Sequence, residues 1–171
     1  MNLKGKGSKM KTEIKARPLA TALLLALIFG YPSLALAEDV KPAPIDPAID
    51  ACAQCKMSIK DSGYAAEVIA TDGRVYKFDD IGCLLTYLAA NPSVKPAARF
   101  VQDSSTHAWL PLARANYVVS KEVPTPMGYG IHAFGSKDAA VSFAKARKDG
   151  AKVVALADIK IESDPDSDKK M

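Results

Sequence analysis

The chain has 171 residues, 23 of them basic and 19 acidic; 49% are apolar and only 7% aromatic. That apolar share supports a packed core and excludes wholesale disorder, and the length suits one domain or two small ones. The formal charge of +4 gives no case for nucleic acid, because most of it sits in the first residues.

Lys4, Lys6, Lys9, Lys11, Lys15 and Arg17 form a cationic stretch, followed by an apolar run from Leu19 to Phe29 and then Ala35-Leu36-Ala37. This is the layout of a cleavable secretory signal over residues 1–37, with the cut expected after Ala37 and export to the periplasm. The apolar run is short for a membrane span. No Cys lies near the cut, so neither a lipid anchor nor a stable membrane attachment is expected. Cleavage removes six of the 23 basic residues and one of the 19 acidic ones, leaving a net charge of about −1.

Residues 38–50 (EDVKPAPIDPAID) are rich in Pro and Asp without period and predict a flexible linker. The folded region is expected over 51–161, and 162–171 reads as a charged, frayed tail. Within it, 65–70 and 75–78 read as strands joined by the turn Thr71-Asp72-Gly73-Arg74. Asp79 or Asp80 can cap a helix to about Ala90, stopped by Asn91-Pro92, and 99–102 reads as the return strand. Residues 109–112, 116–120 and 130–134 are strand-like. Ser136 can cap a second helix that Gly150 closes, and 152–157 is the last strand. Phe78 to Asp103 spans 25 positions and Phe134 to Asp158 spans 24. The expected fold is therefore α+β, a β-β-α-β unit used twice, with halves at about 51–107 and 108–161.

The densest chemical signal is Cys52-Ala53-Gln54-Cys55-Lys56-Met57, ahead of the first unit. On extended backbone Cys55 and Met57 point to one face; on a helix they splay apart. Thiolate and thioether are soft donors that suit Cu(I), whereas zinc makes little use of Met. A third donor is expected from Met127, held between Pro126 and Gly128. Cys52 is an additional candidate. Cys83, in the first turn of the first helix, is another, although a small buried thiol explains it as simply. His107 and His132 have no partner in sequence; His132, five residues past Met127, is a candidate fourth ligand, although such a histidine is more often a hydrogen-bonded structural residue. Asp79-Asp80 is most simply a helix start.

Three cysteines in an exported chain leave at least one thiol unpaired or in chemistry. Cys52 and Cys55 also fit a structural disulfide or a thiol–disulfide oxidoreductase pair, which would be indifferent to Met57 and Met127. A carbon–metal lyase would need a carboxylate beside cysteines, for which Asp79 and Cys83 are the nearby candidates. No Ser-His-Asp pattern, phosphate loop or dinucleotide fingerprint is present.

Three segments together carry a resemblance: Cys52 to Met57, Tyr76-Lys77-Phe78-Asp79-Asp80-Ile81-Gly82-Cys83, and Pro126-Met127-Gly128-Tyr129-Gly130 leading into Ala133-Phe134. Over about 51–158 the chain resembles the NosL family of copper-binding accessory proteins. The resemblance implies a duplicated β-β-α-β fold like that of the organomercurial lyase MerB. It also implies Cu(I) binding by a Cys-x-Met pair that falls on Cys55 and Met57, with the Met of an M-G motif falling on Met127. It implies a chaperone, not an enzyme, that delivers copper to a cuproenzyme, nitrous oxide reductase, after receiving it from an exporter or another periplasmic donor. Two features depart from the family: Lys56 stands where Gly is common before the Met, and many members are lipoproteins whereas this chain has an A-x-A site.

Overall fold

The computed structural model describes residues 40–60 and 62–161; the predicted signal and tail lie outside them. Seven strands and two helices are described: β1 (Ala66–Ala70), β2 (Val75–Phe78), α1 (Ile81–Ala90), β3 (Pro96–Gln102), β4 (Trp109–Pro111), β5 (Asn116–Val119), β6 (Ile131–Phe134), α2 (Lys137–Lys145) and β7 (Lys152–Val154). Strand order is β2-β1-β3-β4 in one sheet and β6-β5-β7 in the other, and every pairing is antiparallel. In both halves the first strand is central, flanked by the second and by the strand that returns after the helix. The duplicated β-β-α-β arrangement expected from spacing is therefore present in the topology.

Three boundaries differ from expectation. β4, expected in the second half, pairs with β3 through Gln102↔Trp109 and Val101↔Leu110. The cause is the turn between them: Asp103 Oδ1 accepts from the amides of Ser105 and Thr106, and the Asp103 amide donates to Ala108 O at 2.8 Å. The chain reverses tightly, so the next strand becomes a hairpin neighbour. α2 ends at Lys145, five residues before Gly150, where the Arg147 guanidinium lies 4.4 Å from the Phe143 ring centroid. Finally, residues 40–50 are docked, not loose. The Ala43 amide donates to Glu67 Oε1 at 2.9 Å, Lys77 Nζ donates to Pro44 O at 2.8 Å, and Lys77 pairs with Asp50 at 2.6 Å. Glu67 and Lys77 are register partners on β1 and β2, so the arm covers a sheet face whose polar groups it satisfies.

Strand alternation sorts the second sheet's side chains onto two faces. Tyr117, Ile131 and Ala133 join Ala66, Val68, Phe78, Ile81, Leu84 and Val101 in the main core, which also contains Cys52 and Cys83. Val118 and Phe134 face the other way, against Ala140 and Ala144 of α2. The main core thus lies between the halves and reaches the start of α1.

Candidate metal centre

Two segments build the site. The first is the loop 51–58, closed by an Ala51↔Ser58 bridge and by the Cys52 amide donating to Met57 O at 2.8 Å. The Ala53 amide donates to Lys77 O at 2.8 Å, which pins the loop to β2. Lys56 adopts φ 65°, a left-handed conformation that favours glycine; its Nζ donates to Ala53 O at 2.6 Å. Cys55 lies in a turn and Lys56 is left-handed, so the extended-strand premise for the Cys55–Met57 pair does not hold.

The second segment is the junction of β2 and α1. Asp80 is the N-cap, its Oδ1 accepting from the Gly82 amide at 2.9 Å. This places Cys83 in the first turn of α1 and turns the preceding Asp79 to the loop, where the Cys55 thiol donates to Asp79 Oδ2 at 3.4 Å. Ligand atoms of Cys52, Cys55, Cys83 and Asp79 all lie within 4.8 Å of one another. Cys52 and Cys83 are each 1% exposed, Cys55 is half-buried, and all three thiols are free. Asp79 is 4% exposed, and its Oδ1 is buried without a hydrogen-bond partner.

Hydrogen bonding from Cys83 holds the Cys52 thiol below its ordinary pKa. The same bond, with burial, pushes Cys83 up, and burial pushes Cys55 up. Any thiol proton in the group must be displaced when a metal binds.

Met57 is 57% and Met127 38% exposed, so neither methionine is core. A cleft of about 390 Å³ is lined by Met57, Lys60, Tyr64, Asp79, Thr125 and Pro126 among others. Met127 follows Pro126 directly, and its amide donates to Asp80 Oδ2 at 3.0 Å. Adjacent carboxylates therefore take different tasks: Asp79 faces the thiols and Asp80 ties down the Met127 loop.

His132 is not brought into the thiol group. It lies on the α2 face of β6, its ring centroid 4.7 Å from that of Phe143 and 5.7 Å from that of Tyr64. Burial lowers its pKa, and Nε2 lies 3.3 Å from Val123 O. Sequence reasoning gave Cys52 and Cys83 a secondary place, yet both are in the group. It read Asp79 as part of a helix start; the doubled Asp was the available signal that one carboxylate was free for another use.

A family model described as NosL matches residues 42–163. The crystal structure of the copper chaperone NosL from Shewanella denitrificans superposes with a TM-score of 0.60 at 23% identity, over 70% of this chain and 96% of that one. At that identity the likeness establishes the fold. No curated protein matches.

Proposed function

The chain belongs to the NosL family, and from that premise we propose that it is a periplasmic Cu(I) metallochaperone, binding the ion through Cys55, Met57 and Met127. The supporting observation is that the exposed Met57 shares a cleft with Asp79, the carboxylate that the half-buried Cys55 thiol contacts. Met127, also exposed, directly follows Pro126 of the same cleft lining. Cu(I) accepts two or three soft ligands. A low-coordinate ion held by exposed thioethers can take on a partner's sulfur before releasing its own, which is what a carrier requires. The ion is cargo, received from an exporter or another copper donor and passed to a cuproenzyme, with nitrous oxide reductase as the client the family points to.

Thiol–disulfide exchange is the competing reading. It needs an accessible, acidified attacking thiol. Here the acidified thiol, Cys52, is buried, and the accessible one, Cys55, has its pKa raised. That inversion favours the metal reading.

Anaerobic Cu(I) titration of the reduced protein with X-ray absorption tests the proposal. One Cu(I) per chain in a sulfur shell is expected, weakened by each of Cys55→Ser, Met57→Leu and Met127→Leu. Unchanged affinity across all three, or a nitrogen–oxygen shell, would overturn it.

A further inference from the structure

We propose that Cys52, Cys55, Cys83 and Asp79 form a second, closed site for a divalent d10 cation of the zinc class, behind the thioether-rimmed copper position and sharing Cys55 with it.

The geometry is close to what such an ion needs. A zinc–sulfur distance of about 2.3 Å puts tetrahedral ligands roughly 3.8 Å apart. The four ligand atoms already lie within 4.8 Å of one another, so closure asks for shifts of about 1 Å or less. The donor set is mixed, three sulfurs and one carboxylate, and four ligands of this kind suit zinc better than Cu(I). Cys52 and Cys83 are each 1% exposed, as expected of a closed site and not of a transfer site.

Independent support comes from Asp79. Its Oδ1 is buried and has no partner, an uncompensated cost that a cation would remove. Charge points the same way. Full ionisation of three thiols and a carboxylate is tolerable only around a multiply charged ion. A cation here would also cross-link the loop 51–58 to the start of α1. Because Cys55 serves both positions, zinc and copper occupancy exclude each other there, and copper loading becomes sensitive to free zinc.

Cobalt(II) is the probe, added to the reduced protein and then displaced by zinc. The expected result is one equivalent of Co(II) with visible tetrahedral d–d bands and sulfur-to-cobalt charge transfer. Asp79→Asn and Cys83→Ser should weaken binding at least tenfold, whereas Met57→Leu with Met127→Leu should leave it unchanged. A weak octahedral spectrum, or equal loss of Co(II) in the methionine double variant, overturns the assignment; both readings can be made without the cysteine variant if that fails to fold. Cu(I) titration of the same samples separates the two readings. Copper binding without Co(II) binding removes the inner site alone, Co(II) binding without copper removes the copper proposal alone, and neither ion binding removes both.

Discussion

Asp80 Oδ2 accepts the Met127 amide at 3.0 Å, so the cap of α1 is also the anchor of a methionine 47 residues away. The same oxygen accepts the Thr125 hydroxyl at 2.5 Å, and Oδ1 caps the helix. Asp80→Ala removes the cap, worth about 1 kcal/mol, and strands buried donors at about 1–3 kcal/mol each. A loss of about 3 kcal/mol is expected in urea unfolding. Cu(I) affinity should fall with it, since the Met127 loop loses its tether. Retained affinity in the folded variant would mean that Met127 is not positioned by Asp80.

Gly82 lies beneath the Tyr129 ring: a Cβ there would stand 2.0 Å from Tyr129 Cγ. Alanine is the better helix former by about 1 kcal/mol, so propensity alone predicts that Gly82→Ala stabilises. Overpacking costs about 1–3 kcal/mol and should win, because the ring is also held by the Thr86–Tyr129 hydroxyl contact at 3.3 Å. Net destabilisation is expected, abolished in a Tyr129→Ala background. A Gly82→Ala cost of the same size in both backgrounds would show that the ring is not the obstacle.

Lys56 carries the left-handed turn inside the site loop. Glycine would suit that place better on physical grounds, since a side chain there costs roughly 1 kcal/mol. The Nζ bond to Ala53 O recovers part of this. Lys56→Gly should therefore stabilise by about 0.5 kcal/mol, with Cu(I) affinity unchanged. Chemical denaturation checks the sign; a destabilised glycine variant would mean that the lysine contact outweighs the backbone strain.

Local features were legible where short-range chemistry sets them. Asp80 and Ser136 cap the helices as their residue types predict, and equal spacing revealed the repeat because each unit reuses one topology. What depended on distant pairing was not legible. Nothing in the spacing of Cys83 says that its helix start abuts the loop of Cys52, because a register 31 residues apart is fixed by the packed core. The Pro-rich stretch 40–50 has the composition of a linker, and its docking depends on distant partners such as the buried Glu67 and the Lys77 opposite. His132 lies apart from the thiols for a simpler reason. Strand alternation puts it on the α2 face, the opposite side from its neighbours Ile131 and Ala133 in the main core.

Asp103 joins the two halves and sets an acid limit on stability. Its Oδ2 accepts from the Gly135 amide at 2.7 Å, at the entry to α2. Its Oδ1 accepts from the Ser105 hydroxyl and amide and from the Thr106 amide. Burial pushes the carboxyl up, but these donors outweigh it and hold the pKa down to about 2, against an ordinary 3.8. A depressed folded-state pKa contributes stability that is fully present above the ordinary aspartate range and is lost as pH falls through the folded value. About 2 kcal/mol should disappear between roughly pH 5 and pH 2. Asp103→Asn cannot ionise, so it should be less stable than the parent at pH 7 and nearly equal to it near pH 2. Urea unfolding across that range checks this; a stability gap independent of pH would mean that Asp103 acts by shape alone and not by its charge.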